Sequence, residues 1–103
     1  MSLLTSLGDI ALTPIFTAWI TPSNVVYVSP STYQGQTLDA SIWYRRLGDT
    51  AWLFAGSSGI DPVGGSDGTL NPAFFGSGTF EFTVRLTIAD GTIVGEPRFQ
   101  VTW

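Results

Sequence analysis

The sequence contains no cysteine, no histidine and no lysine. Without cysteine there is no disulfide framework, no thiolate nucleophile and no cysteine-ligated zinc. Without histidine the commonest general base is missing, and without lysine a Ser–Lys pair has no base. Charge of either sign is scarce: charged residues make up 12% of the chain, about half the ~25% usual in soluble domains. Four arginines face eight acidic residues, for a formal net charge of −4. Nucleic acids are bound by many cationic groups that displace counterions, and anionic membrane surfaces ask for the same, so neither partner is expected. No apolar run approaches the ~20 residues of a transmembrane helix, so membrane insertion is not expected either. The opening residues, MSLLTSLGDIALTPIF, lack the basic start and continuous apolar stretch of a signal peptide.

What the chain does have is apolar mass and turn formers. Of its 103 residues 44% are hydrophobic, with four Trp, three Tyr and seven Phe. That is enough for one packed core at a length typical of a single domain. Twelve Gly and six Pro interrupt the chain, and no segment sustains helical periodicity. Short strands joined by turns are the expected pattern. Residues 1–13 read as an N-terminal arm or edge strand, and residues 14–103 as one β-domain. Ile15 to Ile20 lies between Pro14 and Pro22 and suits an edge strand, and Asn24 to Ser29 reads as the next.

Two stretches alternate cleanly. Leu38, Ala40, Ile42 and Tyr44 alternate with Asp39, Ser41, Trp43 and Arg45. Phe80, Phe82, Val84, Leu86 and Ile88 alternate with Glu81, Thr83, Arg85 and Thr87. Each describes a strand with one face on a core and the other outside it. Between them, Ala51 to Ala55 reads as a short return strand and Gly56 to Gly68 as a loop. Thr69 to Phe75 reads as a brief strand, which puts Phe74 and Phe75 on opposite faces and one of them in solvent. After the Asp90-Gly91 hairpin signal and Pro97, the chain alternates again through Phe99, Val101 and Trp103. About seven short strands with such turns imply an all-β Greek-key sandwich.

The stretches ASIWYRRLGDTAWLFAG and GTFEFTVRLTIADGTIVGEPRFQVTW resemble a fibronectin type III domain, an immunoglobulin-like sandwich of about seven antiparallel strands. Tyr44-Arg45, Gly48 and Trp52 match the family's aromatic-Arg strand end, turn and returning Trp. Phe80, Phe82, Val84, Leu86, Gly91, Pro97, Phe99 and Val101 match its last two strands. Phe80 stands where the family's tyrosine corner has a hydroxyl, so that anchor is missing. The resemblance implies a module of the kind found in phage tail or virion proteins and bacterial surface proteins. A virion, extracellular or cell-surface location is then expected, with other protein subunits as partners, self-association among them.

Candidate chemistry is thin. Asp61 and Asp67 fall in one Gly-rich stretch, and a carboxylate pair serves glycoside hydrolysis or calcium binding. Asp61-Pro62 and Asp67-Gly68 are also ordinary turn pairs, and that reading is the stronger one. No cofactor and no enzymatic activity are expected. Binding is the better prospect. If Ile42 and Tyr44 face the core, the period of two turns Trp43 outward, together with Arg45, Glu81, Arg85, Arg98 and Gln100 if these strands are neighbours. A Trp amid Arg has the composition of a protein interface centre; it would equally stack on a sugar ring, making a glycan the alternative ligand. The competing expectation is that Trp43 lies under Arg85 or Arg98 in a cation–π contact. Trp19, Tyr27 and Trp103 are expected in the core, and Trp52 and Phe54 in core or sheet-edge packing.

Overall fold

The computed structural model describes residues 15–103. The arm or edge strand expected over 1–13, and Pro14, lie outside the described residues. The rest forms strands β1 (Thr17–Ile20), β2 (Val25–Ser29), β3 (Thr32–Tyr33), β4 (Gln36–Thr37), β5 (Asp39–Arg46), β6 (Leu53–Gly59) and β7 (Ser66–Thr69). A single helical turn, α1 (Pro72–Phe75), precedes β8 (Thr79–Thr87), β9 (Ile93–Gly95) and β10 (Arg98–Thr102). The arrangement is all-β. One antiparallel sheet has the order β1-β2-β7; the larger has the order β10-β8-β5-β6, with β9 also paired to β8. Beyond the seven or so expected strands, the structure adds the small β3–β4 hairpin and the short β9, which ends before Pro97. Proline has no N–H to give the ladder, while its carbonyl still accepts from Val84 N at 2.9 Å.

Both sheets enclose one core. Ala18, Val26 and Val28 come from the smaller sheet, and Ala40, Ile42, Phe80, Phe82, Val84 and Leu86 from the larger. β8 runs one residue short of the expected Ile88 end and is the most buried strand, flanked by β5 and β10 in register. Opposite residues share a side of the sheet, so Tyr44 and Phe99 flank Phe82, and Ala40 leaves room for Leu86.

Phe80 has no hydroxyl, and this end of β8 is held by other contacts. Gly78 and Trp103 exchange two backbone hydrogen bonds of 2.9 Å. The guanidinium of Arg46 lies 4.7 Å above the Phe80 ring and donates to Ser77 O at 2.7 Å. Trp103 stacks against the core and its Nε1 donates to Asn24 Oδ1 at 3.0 Å. Asn24 sits in the β1–β2 turn at φ 65, a conformation asparagine tolerates better than most residues. This bond ties the end of the larger sheet to the smaller one.

Several expectations are corrected. Trp103 does reach the core, but Trp19 and Tyr27 stack on each other at 5.8 Å on the outer side of the smaller sheet, where Trp19 is exposed. The Gly56–Gly68 stretch is not a loop: β6 continues to Gly59 and β7 starts at Ser66, leaving a short turn with Ile60 buried beneath it. Small residues give no alternation to read, yet the β6 backbone finishes its ladder on β5. Of Thr69 to Phe75 only Thr69 lies in a strand, as the last residue of β7. Asn71 caps a helical turn by accepting from Ala73 N, Pro72 suits its first position, and Gly76 closes it. One Phe is exposed as expected, but the turn decides which: Phe74 faces solvent and Phe75 packs on the core. In the Asp90-Gly91 turn only Gly91 has positive φ. The Asp90 carboxylate instead accepts from Thr92 N, and these hydrogen bonds hold its pKa below the usual carboxylate range.

Candidate functional site

The outer face of the larger sheet gathers the sequence-singled residues. Its register places Phe54, Trp43, Thr83 and Arg98 in one row across β6, β5, β8 and β10. Arg45, Glu81 and Gln100 form the next row, and Ser41 and Arg85 stand opposite each other on the far side. All six candidate residues (Trp43, Arg45, Glu81, Arg85, Arg98 and Gln100) therefore lie on this face. Their roles differ.

The aromatic centre belongs to Trp52 more than to Trp43. Trp52 lies in the turn before β6, with the Arg45 guanidinium 4.3 Å and that of Arg98 5.4 Å from its ring centroid. Arg45 is on β5 and Arg98 on β10, so the indole gathers cations from the strands on either side of β8. Thr83, on the outer side of β8, has no solvent exposure. The expected cation–π contact thus forms at Trp52, whereas Trp43 packs against Phe54 at 5.3 Å and 67° and donates Nε1–H to Ser41 Oγ at 3.2 Å. Trp52 and Phe54 are not core residues, and Phe54 is 56% exposed. The bulge between Ile42 and Trp43 shifts the pairing of β6 by one residue, which is why reading Ala51 to Ala55 alone does not reveal which way these rings point.

The charged residues form two pairs. Arg45 Nε and Nη2 donate to Glu81 Oε1 at 2.9 and 2.7 Å, half-buried beside Trp52. Arg85 Nε and Nη2 reach Glu96 Oε2 at 2.7 and 2.6 Å, and both residues are buried. Arg85 is therefore a structural member of the face, out of direct reach of a ligand, while Arg98 and Gln100 are exposed. Glu96 had no sequence signal, since it sits in the break between β9 and β10 outside any alternation.

Asp61 and Asp67 are each used locally. Asp61 Oδ1 accepts from Val63 N at 3.0 Å and its carbonyl accepts from Gly65 N. Asp67 accepts the Ser58 hydroxyl, which joins β7 to β6. Burial raises the Asp67 pKa, partly opposed by that hydrogen bond. A raised folded-state pKa means that stability is fully present below the ordinary carboxylate range and is lost as pH rises through the folded value. Asp67→Asn keeps the acceptor without the charge, so it is expected to melt above the parent at pH 7. The gap should close toward pH 3, as thermal unfolding at the two pH values will read.

Compared with family models, with curated proteins and with solved structures, the chain matches none.

Proposed function

We propose that this chain is a non-catalytic, fibronectin type III-like β-sandwich module that works by protein–protein contact through the outer face of its larger sheet. The strand orders β1-β2-β7 and β6-β5-β8-β10 support the immunoglobulin-like part of this reading. The observation that carries the functional part is the Trp52 ring held between Arg45 and Arg98, beside Trp43 and a half-exposed Phe54. Interface centres are enriched in Trp, Tyr and Arg, and here they are held by ion pairs and ring contacts before any partner arrives. Little side-chain entropy then remains to be lost on binding. A phage virion or bacterial surface assembly is the setting we propose, on the strength of the resemblance alone.

A photo-crosslinking side chain at Gln100, introduced into the chain in its source cells or particles, tests this. Capture of a defined protein, lost on Trp52→Ala and absent with the crosslinker at Thr17 on the other sheet, is expected. With that protein purified, Trp52→Ala should weaken binding at least about 30-fold, the loss typical of a central interface residue. Capture of no protein, or glycan binding that Phe54→Ala abolishes, overturns the reading.

A further inference from the structure

The edges of the two sheets are unequally protected. β7 is four residues long and carries Asp67; β1 is also four residues and packs near β10. β6 differs. It is seven residues long, Leu53–Gly59, without a charge or a proline. Among the described residues it pairs only with β5, which leaves the backbone groups along its other side open. Long uncharged edges are templates for an added strand, and proteins normally blunt them with charge, proline, brevity or a bulge; of these β6 has only the bulge at Ala55.

The side chains projecting along this edge are apolar, Leu53 on the inner side of the sheet and Phe54 on the outer. Leu53 and Phe54 are each more than half exposed. A hollow of about 280 Å³ opens at Ala55 of this strand, lined also by Leu70, Phe74 and Phe75 with Thr69 and Asn71. Phe74, at 69% exposure, stands beside it. On the inner side the edge thus supplies both a recess and projecting apolar groups, Leu53 and Phe74, the self-complementarity a twofold interface requires. The chain is net negative and Asp67 bonds Ser58, but β6 itself carries no charge, so two copies can pair there without like charges opposite each other in the added ladder.

We propose that the free edge of β6 is a second association surface, occupied by β6 of another copy of this chain in antiparallel pairing about a twofold axis. The register follows from the sides already assigned. Phe54 and Ser57 share the outer side with Trp43 and Ser41, and Leu53 and Ser58 share the inner side with Tyr44 and Ala40. Opposite residues must match sides, so Phe54 of one copy faces Ser57 of the other, and Leu53 faces Ser58, with the axis between Ala55 and Gly56. The proposal does not depend on the partner-binding role of the outer face: the two surfaces share Phe54, but self-association and exchange at residues 53–59 are a separate readout.

Sedimentation across a concentration series, with amide exchange at low and high concentration, tests the proposal. A reversible dimer is expected, with exchange slowing at residues 53–59 as it forms. The double substitution Leu53→Lys and Ser57→Lys places like charges along the shared edge and should weaken the dimer at least about tenfold, a 1.4 kcal/mol effect. A chain that stays monomeric throughout overturns the proposal. So does a dimer whose formation leaves exchange at 53–59 unchanged, a measurement on the parent chain that stands even if the double variant folds poorly.

Discussion

Phe82→Ala is expected to destabilise the fold by about 3–5 kcal/mol, the usual cost of removing a buried phenyl ring. Phe82 has no solvent exposure. Its ring meets Tyr44 at 6.0 Å, Phe75 at 5.3 Å, Phe99 at 5.2 Å and Trp103 at 5.9 Å. These neighbours come from β5, from α1 and from β10 with the residue just after it, so three chain segments border the space the ring would vacate. Elements held by ladders on both sides of β8 cannot readily close that gap. Domains of this size lose roughly 4–8 °C of Tm per kcal/mol, so a drop on the order of 20 °C is expected. Phe74→Ala is the control: Phe74 is also aromatic but mostly exposed, and its loss should stay within about 1 kcal/mol. Urea denaturation of the two variants decides the matter. Equal losses would mean that the core does not centre on Phe82.

The second large effect is expected at Arg85. Arg85→Met leaves the Glu96 carboxylate, whose side chain is 0% exposed, without the guanidinium that holds Oε2. Removing one partner of a buried pair typically costs about 3–5 kcal/mol, because a desolvated charge stays behind. Replacing both, Arg85→Met with Glu96→Leu, should recover most of that loss, since an apolar pair of similar volume carries no desolvation penalty. A double-mutant cycle by chemical denaturation measures the coupling. A single variant as stable as the parent would show that the pair contributes nothing beyond its packing. The pair also bears on the candidate interface: Arg85 stands on the same outer face, opposite the Ser41 that Trp43 bonds, so the single variant tests whether it helps to hold that face.

The legible parts of the chain are those where side chains report their own environment. The Phe80–Ile88 alternation located β8 to within one residue at each end, because an apolar residue at every second position has one low-energy arrangement against a core. Leu38 to Arg45 placed β5 for the same reason, and with it the outward turn of Trp43. The grouping of Arg45, Glu81, Arg85, Arg98 and Gln100 on one face followed from that parity once β5, β8 and β10 proved to be neighbours. Where side chains are small or caps dominate, the signal failed. Leu53–Gly59 is a strand by virtue of what β5 offers it, and Pro72–Phe75 a helical turn by virtue of Asn71. Neither influence has a period.

From residue identities alone came an all-β fold, the scarcity of charge, and the faces of the two long alternating strands, because burial period and ionisable inventory are local properties. Tertiary structure alone decided that Trp52, not Trp43, is the ring between two arginines. It also decided that Arg85 finds Glu96 and is buried rather than presented, and that Trp19 and Tyr27 stack outside the core. Each of these depends on which strands become neighbours, on a one-residue bulge, or on a partner distant in sequence. A single bulge reverses the facing of every residue beyond it, and no pattern within one strand records where its neighbour will slip.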